Sequence, residues 1–318
     1  METKNNWKAW LYLAPIIILM AVFTFYPIIN TTGISFLKNY NSVLKTSEGF
    51  TFDNYLEILM IKPTGELWGE PVFQKEYLTV ALPNTLILTF ITVPLSILIA
   101  LAIAIALNSI KPLKKILQTI FFMPYVTNAI AIGMVFSVIF DTNSGVFNFL
   151  FGLENHAWIF KGNAANPPTY WSALFALCFY IIWHSLPYKI LIFLGGLQNI
   201  DQQYYDAAKI DGSSKFKVIR RITIPLLSPQ ILYVMITSFI GAFKEYTSIV
   251  GLFGDTGGSF QATGGMPTSM HTVVWYIYDM MSQSNKLQYA AAGAVILFII
   301  ILLFTGIQKV VAKKRVHY

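Results

Sequence analysis

Lys244 and Glu245 stand side by side in a stretch that is otherwise uncharged from Leu226 to Phe253. A lone lysine at mid-membrane costs about 2.5–3.5 kcal/mol on insertion scales, so a charge there turns toward the protein interior or a wet cavity. Adjacent helical residues point about 100° apart, so the two do not pair with each other. Lining a polar path and partnering another helix both account for them. A second group, Trp183, His184, Ser185, Pro187 and Tyr188, interrupts the apolar run Tyr170–Leu194. Proline frees backbone carbonyls inside a span, and aromatic faces can stack against a pyranose ring. Third, Thr85, Thr89, Thr92 and Ser96 fall within roughly 60° of one another on a helix. That face suits a polar solute, but close helix packing is the favoured reading. His184 has no second ligand at helical spacing, so no metal site is expected. No catalytic residues are expected either. Cys178 lies in an apolar run without a CxxC partner, which points to a buried, inert thiol.

These side chains need a membrane scaffold. The chain is 55% hydrophobic and 12% charged, with a mean hydropathy of +0.59. Spans of about 20 nearly uncharged residues match a helix that crosses a ~30 Å hydrocarbon core. Six are expected: Leu11–Ile29, Leu82–Leu107, Ile116–Phe140, Tyr170–Leu194, Leu226–Phe253 and Tyr289–Val311. The expected class is therefore an all-α membrane protein with six transmembrane helices. The first span follows Lys4 and Lys8 like a signal peptide, but its apolar run is long and no small-x-small site follows, which favours an uncleaved span.

Basic residues set the orientation. Lys4, Lys8, Lys111, Lys114, Lys115, Lys209, Lys215, Lys217, Arg220, Arg221, Lys309, Lys313, Lys314 and Arg315 fall on one side. Lys38, Lys45, Lys62, Lys75, Lys161 and Lys286 fall on the other, with Glu48, Asp53, Glu57, Glu66, Glu70, Glu76, Asp141, Glu154, Asp255 and Asp279. The positive-inside rule then places both termini in the cytoplasm. The net charge of +7 reads as an orientation signal, and nucleic acid is not an expected partner. This divides the chain into a tail and first helix (1–32), an outer segment (33–81), a five-helix core (82–311) and a basic tail (312–318). In the outer segment Asp53 is placed to cap a short helix through Tyr55, Leu56 and Leu59. The outer stretches 33–81, 141–169 and 254–288 are either connecting loops or a docking surface for an external partner.

The loop 198–225 carries the most information. Asp201 can cap a helix of about ten residues that Gly212 ends. Ser213 or Ser214 can cap a second helix, which Pro225 is expected to stop. On the first helix Ala207 and Ala208 keep the surface shallow, and Tyr204 and Tyr205 supply amphipathic anchors. A short helix of this kind suits a cleft on another protein.

Asp206-Ala207-Ala208-Lys209-Ile210-Asp211-Gly212, followed by Ile222-Thr223-Ile224-Pro225, closely resembles the EAA loop of binding-protein-dependent ABC importer permeases. Pro15 to Ser35-Phe36, Asp53-Asn54-Tyr55, Asn84-Thr85, Phe122-Met123-Pro124-Tyr125, Gly264-Gly265-Met266-Pro267 and Tyr276-Ile277-Tyr278 are similar to motifs of its sugar branch. Asp206 stands for the usual Glu, Phe136 for a frequent Trp, and Met266 interrupts the Gly-Gly-Pro triplet. The resemblance implies a type I importer permease fold in the bacterial cytoplasmic membrane. It implies that Tyr205, Asp206, Ala207, Ala208, Asp211, Gly212 and Pro225 couple the chain to an ATPase. The implied partners are two ATP-binding-cassette subunits holding ATP and Mg, a second homologous permease in a heterodimer, and an extracellular binding lipoprotein or periplasmic binding protein. The implied cargo is a sugar or oligosaccharide. Thr89, Thr92, Trp183, His184, Tyr188, Lys244 and Glu245 are the expected pathway residues.

No Gly-x-x-x-x-Gly-Lys-Ser/Thr string exists in the chain, so no ATPase and no cofactor are expected within it. The cluster Gly254–Ser259 lacks the lysine and reads as an outer loop. A glycerol-phosphate-type anion is the alternative cargo. An ion-coupled secondary transporter is the alternative class, but it favours more intramembrane acids and an internal repeat.

Overall fold

The computed structural model describes residues 6–67, 70–72, 74–110, 114–153, 156–159, 167–254, 257–258 and 267–312. The charges at Lys4, Lys111, Glu154, Lys161, Asp255, Lys313, Lys314 and Arg315 lie outside the described residues. So do Gly264-Gly265-Met266 and most of the glycine cluster after Gly254.

The chain opens with α1 (Asn6–Met20), a π-helical turn (Ala21–Phe25) and α2 (Tyr26–Ser35). Together they form one apolar helix from Trp7 to Ser35. The outer segment holds α3 (Asp53–Ile58) and strands β1 (Gly65–Leu67) and β2 (Glu70–Val72). The strands pair antiparallel, Gly65 with Val72 and Leu67 with Glu70. This hairpin is a small exception in a mostly helical chain: Gly65 and Pro71 disfavour helix and leave a short extended ribbon. Asp53 does not cap α3. Phe52 holds the N-cap position, and Asp53 sits in the first turn with its carboxylate 2.7 Å from Lys62 Nζ.

A second long helix, Tyr77–Ser109, contains α4 (Leu82–Ser109). Then come α5 (Lys114–Val126) and α6 (Ala129–Ile139). These were expected as one span, but they bend by 104° between Val126 and Ala129. Asn128 starts the new helix there by accepting the N–H groups of Ile130 (2.9 Å) and Ala131 (3.3 Å). After α7 (Val146–Phe151), α8 runs unbroken from Tyr170 to Gln198 despite Pro187.

The loop holds α9 (Gln202–Ile210), α10 (Lys215–Val218), a π-turn (Ile219–Thr223) and α11 (Ile224–Leu226). Pro225 lies at the start of α11 and does not stop the chain's helical path. The break comes at Leu227, where Lys215–Leu226 meets α12 (Ser228–Phe243) at 67°. Pro229 has no N–H to return to the carbonyl four residues back, which explains the shift. The expected span Leu226–Phe253 also ends early, at Phe243, and α13 (Thr247–Phe253) is a separate helix. The chain continues with α14 (Val273–Ser282) and α15 (Leu287–Ala312). Among the described residues, four helices are long and apolar enough to cross a membrane, or up to six if each bent pair is one span.

Backbone contacts divide the chain into two compact units, residues up to Leu78 with Tyr276–Ile299, and Thr79–Trp275 with Ile300 onward. In the first, Asn54 Nδ2 ties α3 to the end of α2 through the carbonyls of Ser35 (2.8 Å) and Leu37 (2.9 Å). The rings of Phe36, Phe50, Phe52 and Tyr55 pack around that joint. In the second, α4 packs on α8 and α12, and α6 on α13. Its core includes Leu88, Phe136, Phe140, Tyr170, Leu177, Tyr180 and Ile249.

Candidate functional site

Small and hydroxylated residues let α4, α8 and α12 diverge around a cavity of about 280 Å³. Thr92 and Ser96 come from α4, and His184, Ser185, Tyr188 and Lys189 from α8. Thr237, Ser238 and Gly241 come from α12, with Glu245 just beyond its end and Tyr125 from α5. Hydroxyls and aromatic rings share the wall with the apolar Val93, Ile181 and Ala242. Thr92 returns its hydroxyl to the Leu88 carbonyl at 2.7 Å, as a helical threonine does in an apolar setting. Tyr188 donates to or accepts from Tyr233 at 3.0 Å, and its ring stacks on Tyr125 with centroids 5.7 Å apart. His184 Nε2 is buried and has no hydrogen-bond partner among the described residues.

Of the expected pathway residues, Thr92, His184, Tyr188 and Glu245 meet at this cavity. Thr89 is fully buried away from it, and its hydroxyl has no partner. Trp183 faces a different, almost wholly apolar pocket with Leu95, Phe175 and Phe179, and packs on Phe136. Lys244 is exposed at the C-terminal end of α12, not inside a continuous span. The helix break separates its role from that of Glu245, which accepts the Ser248 N–H (3.0 Å) at the start of α13. Thr85, expected on the same polar face, instead accepts the Val273 N–H at 2.9 Å.

Lys189 was not anticipated. It is 5% exposed, and its Nζ donates to Ser96 Oγ (2.5 Å) and Ser185 Oγ (3.0 Å). The signal was present in the sequence: a lysine inside an apolar span, four residues after a serine.

The second site is the loop after α8. Asp201 caps α9 by accepting the Gln203 N–H at 3.0 Å. Gly212 follows with φ +62°, the left-handed conformation that ends a helix. Ser214 caps α10, accepting the Lys217 N–H. Tyr205 turns inward to a cavity of about 360 Å³ with Lys209 and Thr223, its hydroxyl 3.3 Å from Thr223 Oγ1. Ala208 is buried, whereas Ala207, Asp206, Asp211 and Gly212 are exposed. Asp206 bonds Lys209 Nζ at 2.8 Å and accepts more weakly from Gln202. Those two bonds hold its carboxyl below the usual carboxylate range, the lysine contributing most. Tyr204, Ile210 and Phe216 stand out into solvent at 54, 88 and 73% exposure. Tyr204 and Ile210 belong to α9 and Phe216 to α10, so both short helices of the loop carry bare apolar side chains. Among the described residues no group of His, Cys, Asp and Glu could hold a metal.

A family model described as binding-protein-dependent transport system inner membrane component matches residues 93–317. The chain is 30% identical to a lactose transport system permease protein of Rhizobium radiobacter, over 97% of this chain and 95% of that one. It is 29% identical to an arabinooligosaccharides transport system permease protein of Bacillus subtilis, over 94% and 86%. A solved bacterial alginate ABC transporter, in complex with an alginate pentasaccharide-bound periplasmic protein, has a chain of the same fold. Its TM-score is 0.73 at 18% identity, covering 96% of this chain and 93% of that one.

Proposed function

The chain belongs to the binding-protein-dependent transport system inner membrane component family, and from that premise we propose that it is the permease subunit of an ATP-driven importer carrying a sugar or oligosaccharide. The loop 198–225 is the observation that carries this reading: a capped α9 backed by Tyr205 and fronted by exposed Tyr204 and Ile210. In that role Tyr205 and Ala208 anchor the helix to its own subunit, and Asp206, Ala207, Asp211 and Gly212 face an ATPase subunit. Pro225 shapes the return to the membrane. The chain is not the enzyme. ATP and Mg sit on two cassette ATPase subunits docked there.

The bent pairs count as one span each, giving six spans with both termini in the cytoplasm. The bare helix Trp7–Ser35 is covered by lipid or by a second, related permease, because none of its apolar window is buried in this chain. A bacterial inner membrane and an outside binding protein complete the assembly, in line with the family's description. The cavity between α4, α8 and α12 is the stretch of pathway that holds a sugar unit. Its 280 Å³ is near the lower bound of small-molecule pockets, which run from about 300 to 1,000 Å³.

Purification of the tagged chain from its native membrane tests the assembly. The expected result is recovery with an ATP-binding-cassette subunit and a second permease. Recovery as a lone chain that transports without ATP would replace the importer with an ion-coupled carrier.

A further inference from the structure

Lys189 and Glu245 line one cavity with opposite charges and do not pair. Among the described residues the lysine is held by hydroxyls alone, Ser96 and Ser185. An ammonium has three N–H donors, so one remains for whatever fills the space. Glu245 spends one oxygen on the Ser248 N–H and keeps acceptor capacity beyond it. His184 adds a ring nitrogen with no hydrogen-bond partner among the described residues. A donor pole and an acceptor pole that sum to zero charge describe a site for groups that both donate and accept. Hydroxyls do this. A carboxylate or phosphate would gain Lys189 but bring an uncompensated charge beside Glu245, in a setting where desolvation is expensive.

We propose that Lys189 is a specificity-determining residue. It donates to an oxygen of an uncharged sugar unit while Glu245 accepts from a hydroxyl of the same unit, and the pair discriminates against sugar acids and sugar phosphates. This rests on the sugar-permease reading above. It adds which sugars pass and which side chain decides.

The test uses the complete importer in proteoliposomes with lactose, maltose and cellobiose, each beside its C6-oxidised uronate. The neutral sugars are expected to be taken up in preference to their uronates. Lys189→Met should raise KM about tenfold or more, the order for losing one hydrogen bond to a charged group. Lys189→Gln, which keeps a donor, should recover much of that loss. Glu245→Gln leaves the Lys189 charge unopposed and should move preference toward the uronate, so selectivity is read even if Lys189→Met fails to assemble. An unchanged KM in Lys189→Met, or uronate uptake equal to the neutral sugar in the unaltered importer, overturns the proposal. Failure to take up any saccharide strikes the sugar reading itself and takes this inference with it.

Discussion

Asn84 is fully buried, yet its amide is used on both sides. Nδ2 donates to the carbonyls of Ser269 (2.8 Å) and His271 (3.0 Å), and Oδ1 accepts from the Tyr170 hydroxyl (2.9 Å). One side chain thus joins α4, α8 and the segment before α14. Replacing it by alanine removes three hydrogen bonds at once, at about 0.5–1.5 kcal/mol for each bond lost. Asn84→Ala should therefore lower the thermal midpoint of the purified complex clearly. Asn84→Asp keeps the acceptor for Tyr170 but loses both donated bonds, so it should not rescue; a rescue would show that the carbonyls find other partners. The motif Asn84-Thr85 was visible in the sequence, but its partners some 185 residues later were not. Periodicity reports faces, not who meets them. The same limit explains Lys189, Thr89 and Trp183. A polar residue in a span can be flagged by type, whereas which wall it joins depends on helix rotation that only packing settles.

Helix existence was legible at the element scale, and continuity was not. The apolar runs gave the long helices Trp7–Ser35, Tyr170–Gln198 and Leu287–Ala312, because length and hydropathy are local properties. The breaks at Leu227 and between Val126 and Ala129 turn on Pro229 and Asn128, whose local chemistry overrides an unbroken apolar pattern. The hairpin at Gly65–Val72 was missed because three-residue strands carry almost no periodic signal. Close approach of elements gives a sharper test. A Cβ placed on Gly133 of α6 would lie 2.6 Å from Gly251 Cα in α13, backbone against backbone. No rotamer change relieves that contact. Gly133→Ala should cost about 1–3 kcal/mol by overpacking and lower the complex's thermal midpoint. Gly195→Ala, in open space on α8, should be neutral or slightly stabilising, since alanine is the better helix former by about 1 kcal/mol. Equal tolerance at both positions would mean that α6 and α13 separate without cost.

At the scale of the whole molecule, the proposed coupling needs a physical route from the exposed loop to the helices around the cavity. Tyr205 links α9 to Thr223, and the path from Lys215 to Leu226 leads into α12, which lines the cavity. On the proposed coupling, a push on α9 would reach α12 along this route, across the 67° bend at Leu227. Gly212 is the weak point, because φ +62° at that position is open to glycine and closed to proline, whose ring fixes φ near −65°. Gly212→Pro should leave the protein in the membrane, since no apolar span is touched, yet abolish uptake. Asp206→Lys tests the same surface by charge. A carboxyl whose pKa is lowered on folding contributes its stabilisation above the ordinary carboxylate range, and loses it as pH falls through the lowered value. At neutral pH the Asp206–Lys209 bond is therefore intact, and reversal sets two cations three residues apart on an exposed helix. Both variants should reach the membrane at normal levels and fail in ATP-dependent uptake. They should separate in assembly: Gly212→Pro distorts the helix end and should weaken recovery of the ATPase subunit, whereas Asp206→Lys keeps the backbone and should lose mainly the charge contact. Normal uptake by both would remove α9 from the coupling path and leave the exposed Tyr204 and Ile210 without the partner assigned to them.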